Sequence, residues 1–96
     1  MAVGDAVTAL SSIATTAYLD LQPTGTTEWI ITNIYHEGDV SIEWYSSTGS
    51  IIFDSATGAG AWCKYAFHCT NARRIRVKNT MGTSKLIGYD GWVSKA

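Results

Sequence analysis

Apolar and polar residues alternate with a period of two along most of this chain, and turn-forming clusters interrupt the alternation at roughly 8–12-residue spacing, the pattern of successive antiparallel strands. The first clear strand is predicted over Ile13 to Leu21, with Tyr18 and Asp20 on one side and Leu19 and Leu21 on the other. Gln22-Pro23-Thr24-Gly25 supplies a turn, with proline preset for its second position. Thr27 to His36 is β-branched or aromatic on both faces and reads as a central strand. Glu37-Gly38-Asp39 reverses the chain into Val40 to Tyr45, where Val40, Ile42 and Trp44 are expected to point inward and Ser41 and Glu43 outward.

Ser46 to Gly49 turns the chain into a short strand over Ser50 to Asp54, and Ser55 to Gly60 is predicted as a small-residue loop. Ala61 to Cys69 reads as one strand carrying Trp62, Tyr65 and Phe67. Arg73 to Asn79 sets Ile75 and Val77 against Arg74, Arg76 and Lys78, Asn79 to Gly82 turns again, and Ser84 to Val93 closes the series. The expected fold is therefore all-β, a single antiparallel β-sandwich or jelly-roll-like small barrel of about seven to eight strands. Residues 13–96 form that domain. Residues 1–12 read as an N-terminal arm or edge strand, since small residues at a terminus stay loose unless something ties them down.

Composition narrows the function classes. Ninety-six residues support one domain with a modest core. Charged residues make up 16% of the chain against roughly 25% in average usage, so Ser and Thr cover much of the surface. A net charge of −1 does not suit a bulk nucleic-acid or anionic-membrane binder. No stretch approaches the ~20 apolar residues of a membrane span, and Asp5 lies where a signal peptide carries positive charge. Cys63 and Cys69, placed on one strand, are too far apart to bridge and are expected to act as small buried hydrophobes in a reducing cytoplasm.

The charges are sorted along the chain. All seven basic residues lie from Lys64 onward, and seven of the eight acidic ones precede residue 55. Either early acids pair with late bases across neighbouring strands, or the molecule has an acidic side and a basic side suited to ordered association. The partner-contact candidates are Arg74, Arg76 and Lys78, which share a strand face, and Glu43, which faces outward on the central hairpin.

Candidate chemistry is sparse. His36 and His68 read as satisfied or solvent-facing imidazoles, and no nucleophile elbow, phosphate loop or zinc-knuckle spacing occurs, so neither an enzyme nor a cofactor nor a metal is expected. Arg73 to Lys78 beside Trp62, Tyr65 and Phe67 matches the cation-plus-stacking composition of single-strand binders, but the rest of the chain is acidic. Carbohydrate binding through an exposed Trp29, Trp44, Trp62 or Trp92 is the other alternative, against the need of a small core for tryptophan.

The runs Ala17-Tyr18-Leu19-Asp20-Leu21-Gln22-Pro23, Glu28-Trp29-Ile30-Ile31-Thr32-Asn33-Ile34-Tyr35, Ile75-Arg76-Val77-Lys78-Asn79-Thr80 and Tyr89-Asp90-Gly91-Trp92 resemble those of the small β-sandwich decoration, or cement, proteins on the capsid exterior of tailed bacteriophages. The likeness covers roughly residues 13 to 92 in loose strand-and-turn patterns. It implies a non-enzymatic virion protein, assembled in the host cytoplasm, that binds the major capsid protein, associates with itself as a trimer or dimer, and reinforces the shell. The rival reading within the same setting is a carbohydrate- or receptor-binding module of a tail or fibre.

Overall fold

The computed structural model describes residues 2–96, and every regular element in them is a strand. In chain order these are β1 (Ala6–Ile13), β2 (Tyr18–Asp20), β3 (Glu28–His36), β4 (Val40–Ser46), β5 (Gly49–Ala56), β6 (Gly60–Trp62), β7 (Phe67–Cys69), β8 (Arg74–Asn79) and β9 (Lys85–Lys95). They form two antiparallel sheets. Sheet A runs β1-β9-β3, with β6 and β7 sharing the far edge of β3, and sheet B runs β2-β8-β4-β5. The core lies between them: Ile31, Ile34, Ile87 and Val93 from sheet A meet Val40, Ile42, Ile75 and Val77 from sheet B, with Leu21 and Cys69 closing the space. The expected all-β sandwich is the observed fold.

Of the two forms expected for the N-terminal segment the structure has the second, and two other segments differ from the sequence reading. The N-terminal segment is an edge strand: β1 pairs with β9 from Ala6↔Trp92 to Ile13↔Lys85, and its buried Val7 and Ile13 are tied into the core. The expected strand Ile13 to Leu21 is divided, because the chain crosses from sheet A to sheet B at Ala14–Ala17. Thr16 adopts φ 61° there, and its N–H donates to the carbonyl of Asn79 at 2.9 Å. A non-glycine residue in that left-handed region leaves no periodic trace in a sequence.

The second difference is the break of Ala61 to Cys69 into β6 and β7. β3 carries a bulge between Ile31 and Asn33, and the facing chain steps around it. Lys64 takes φ 65° and donates its N–H to Asn33 Oδ1 at 3.1 Å, while the Tyr65 N–H donates to the carbonyl of Thr32 at 3.0 Å. Cys63 is consequently exposed and only Cys69 is buried; both are free thiols.

The hairpin β3–β4 and strand β8 follow the predicted alternation, with one qualification at each face of β4. Trp44 does sit opposite Ile75 on the inner face, but the sandwich opens at that end and leaves it 39% exposed. Glu43 faces outward as expected, yet it is only 3% exposed, flanked in register by Arg76 on β8 and Ile52 on β5.

Candidate functional site

The outer face of sheet B gathers all four residues singled out from the sequence. Cross-strand register aligns Asp20, Arg76, Glu43 and Ile52 in one row, with Tyr18, Lys78 and Ser41 in the next and Arg74 beside Tyr45 in a third. The arginines are engaged within the molecule. Arg74 donates from Nε to Asp20 Oδ1 at 3.0 Å and from Nη1 to the carbonyl of Asn71 at 3.2 Å, and its guanidinium lies 4.4 Å above the Tyr45 ring. Arg76 is held 3.9 Å from the Tyr18 ring and 4.7 Å from that of Tyr45. Its Nε is 2.8 Å from the same Asp20 oxygen, close enough for an ion pair, though the N–H is not aimed along that line.

Part of the sorted charge is paired within the molecule. Asp20 joins Arg74 and Arg76, and Glu28 joins Lys95 and His68, so early acids meet late bases across strands. Other acids close turns: Glu37 Oε1 accepts from the Leu86 N–H, and Asp39 Oδ1 from the Gly58 N–H. For Asp20 and Glu28, sorting by sign along the chain becomes pairing in space, and the outer face of sheet B is a mixed polar lattice in which Arg74 and Arg76 already have partners.

The open apolar surface lies one strand further out. Every residue of β5 from Gly49 to Ser55 is exposed, with Ile51 at 65%, Ile52 at 61% and Phe53 at 48%. Ile51 pairs with Trp44 toward the inner face and Ile52 with Glu43 toward the outer face, so apolar groups project on both sides of a strand that nothing covers. The patch continues through Phe53, whose ring centroid is 6.2 Å from Phe67, to Tyr65 stacked 5.1 Å from Phe67. Trp44 also separates two shallow grooves, one of about 380 Å³ lined by His68, Thr70 and Arg73, the other of about 290 Å³ lined by Ser46, Thr48 and Ile51.

The outer face of sheet A has its own exposed side chains, Leu10, Tyr35, Leu86 and Trp92, around Asp90. Asp90 is fully used: Oδ1 accepts from Asn33 Nδ2 at 2.7 Å and Oδ2 from the Tyr35 hydroxyl at 2.9 Å. That hydrogen bond to a carboxylate, with partial desolvation, raises the Tyr35 hydroxyl above its ordinary value. The group positions the strands around the β3 bulge.

The remaining reactive groups have structural partners. His36 donates from Nδ1 to the carbonyl of Gly38 at 3.0 Å and packs against Trp62. His68 contacts Glu28 at 2.6 Å. Asp54 Oδ2 accepts from Trp62 Nε1 at 2.9 Å, and this bond, with the Ser55 N–H, holds its carboxyl below the usual value. Among the described residues no cluster of His, Cys, Asp and Glu has metal-site geometry, and no helix is long and apolar enough to cross a membrane.

The two thiols differ in a measurable way. Burial pushes Cys69 up to about 11 from 9.0, whereas Cys63 is open to solvent. A thiol-specific reagent near pH 8 is expected to modify one cysteine of the folded chain rapidly and the second only on unfolding; two rapid equivalents would contradict the burial of Cys69. The folded value lies above the unfolded one, so the fold favours the protonated thiol. The stability it contributes is complete below pH 9 and is lost as pH rises toward about 11.

Compared with known proteins, the chain matches no protein-family model and no curated protein sequence.

Proposed function

We propose that this chain is a non-enzymatic virion structural protein that binds the outer surface of a tailed-phage capsid and stabilises the shell. The observation that supports this reading best is the uncovered β5 strand, apolar on both faces, beside a charged lattice whose arginines are already paired. A surface of that kind contributes to function by burial against another surface, not by drawing a small molecule into a reactive cleft. Repetition over a symmetric lattice lets weak contacts sum into stable attachment. The resemblance of the strand and turn runs to capsid decoration proteins supplies the identity of the larger surface as the assembled major capsid protein.

One observation favours a second reading. Trp44 stands half-exposed between two grooves, one of them lined by the hydroxyls of Ser46, Thr48 and Ser50, an arrangement on which a sugar ring can stack, and this suits a carbohydrate-binding module of a tail or fibre. Single-strand nucleic-acid binding is less well supported, because Arg74 and Arg76 are committed to Asp20 and the two tyrosines.

The capsid reading is tested by the heat resistance of the shell. Shells of the phage that encodes this chain, stripped of accessory proteins, are expected to disassemble at a higher temperature when the purified protein is added back. An unchanged disassembly temperature at saturating protein contradicts the reading, and selective retention on a glycan array that is lost in Trp44→Ala replaces it with the carbohydrate one.

A further inference from the structure

Exposed sheet edges present rows of unpaired N–H and C=O groups, and natural proteins blunt them with lysine, proline, bulges, inward-pointing charges or very short strands. The edges of this sandwich differ in length and in the apolar surface they leave open. β2, β6 and β7 are three residues each. β1 is as long as β5 and also lacks lysine, proline and bulges, but its inner Val7 and Ile13 are buried and Leu10 is its one exposed large apolar side chain, whereas β5 exposes Ile51, Ile52 and Phe53. β5 is eight residues long, open on both faces, and carries neither lysine nor proline. Its one charge, Asp54, is turned toward Trp62. Its one irregularity is the shift of register opposite Ile42 and Glu43, which leaves the stretch from Gly49 to Ile52 beside the hairpin tip regular and unprotected.

We propose that the β5 edge is covered by the β5 edge of a second copy, paired antiparallel about a two-fold axis. The two four-stranded sheets then join as β2-β8-β4-β5 followed by the same order reversed in the partner. Self-complementarity favours this occupant over an unrelated chain. Gly49 to Phe53 contains no charged residue, so a two-fold arrangement opposes no like charges there, and apolar Ile51 and Ile52 meet apolar or small neighbours in any register centred on that stretch.

The area is also adequate. Trp44, Ile51, Ile52, Phe53 and Tyr65 together expose on the order of 500 Å² of side chain. A standard interface takes about 800 Å² per partner, and the exposed Ser47, Thr48, Gly49, Ser50 and Ser55 on and beside the strand add to that side-chain area. The proposal deepens the reading of this chain as a protein that acts in several copies, and it names the surface those copies share.

The solution mass of the full chain, measured by light scattering at tens of micromolar protein without capsids, tests it. The expected mass is twice the 10.4 kDa of one chain. Ile52→Lys on the outer face and Ile51→Lys on the inner face should each halve that mass, with far-UV circular dichroism and melting behaviour retained because both positions are exposed. Leu10→Lys, on the outer face of sheet A, should leave the dimer intact. A wild-type monomer overturns the proposal, as does a trimer, which two-fold pairing cannot build. A dimer that survives both β5 variants, or that falls apart with Leu10→Lys instead, also overturns it. A dimer that fails to bind shells would remove the capsid reading and leave the β5 pairing standing, whereas a monomer that binds them would do the reverse.

Discussion

Asn79→Asp is expected to cost about 3–5 kcal/mol, a large part of the total stability of a domain this size. Asn79 is completely buried at the end of β8, and each of its polar atoms has a partner. Nδ2 donates to the carbonyls of Ile13 and Thr83, both at 2.9 Å, and Oδ1 accepts from the Met81 N–H at 2.9 Å. Its backbone N–H donates to Ala17 and its carbonyl accepts from Thr16. The side chain thus fixes the end of β1 and the turn before β9, and the backbone of the same residue holds the crossing between the sheets.

Aspartate in its place turns a carboxylate toward two carbonyl oxygens with no donor to offer either of them. Burial and that repulsion would raise its pKa above the unfolded value, so the variant should recover stability as pH falls through the folded value, and the penalty should grow above about pH 4. Asn79→Ala, which leaves the three partners unsatisfied without adding charge, should cost roughly 2–3 kcal/mol. Urea unfolding at neutral and acidic pH measures both. A loss under about 1 kcal/mol for Asn79→Asp would contradict the role of Asn79 as the staple of the crossing.

The second large effect belongs to Gly91. It lies on β9 opposite Ile31, at the start of the β3 bulge. A Cβ added there would run into the carbonyl oxygen of Ile30 and lie 2.8 Å from the Cα of Ile31, both backbone atoms in the middle of sheet A. No side-chain rotation relieves that overlap, so Gly91→Ala has to push β3 and β9 apart. The expected cost is about 3 kcal/mol or more, seen as a fall in melting temperature of roughly 12 °C or more for a chain this length. A melting temperature within a few degrees of the wild type would show that the strands do not approach as closely as the bulge requires. Gly88, beneath Leu10, is tight against the carbonyl of Ala9 and provides a milder comparison.

Much of the fold was legible because local pattern and tertiary role coincide. In β8, Ile75 and Val77 are buried between Arg74, Arg76 and Lys78, as their alternation requires, and the reversal at Glu37 to Asp39 joins two strands whose apolar sets face one core. Asn79 was legible only as a turn former. Its burial depends on Ile13, 66 residues away, and no local pattern carries that information. The split of β6 from β7 follows from a bulge on another strand, and Lys64 at positive φ shows nothing in the sequence that an ordinary strand residue would not.

The candidate surface was half legible for a similar reason. The shared face of Arg74, Arg76 and Lys78 was visible from periodicity, but Asp20 as the common partner of the two arginines required the pairing of β2 with β8. Ile51, Ile52 and Phe53 read as an ordinary short strand, because three consecutive apolar residues suit a buried strand as well as an uncovered one. The position of β5 as the outermost strand of sheet B leaves them exposed.

The most direct test of the account is a sedimentation titration of the purified protein against stripped shells of the tailed phage proposed to encode it. The account predicts saturable cosedimentation at a fixed number of copies per shell. Because Arg74 and Arg76 are internally paired, binding should persist when ionic strength is raised from low to physiological. Protein that stays in the supernatant at every ratio, or that binds without saturating and is released by modest salt, would contradict it.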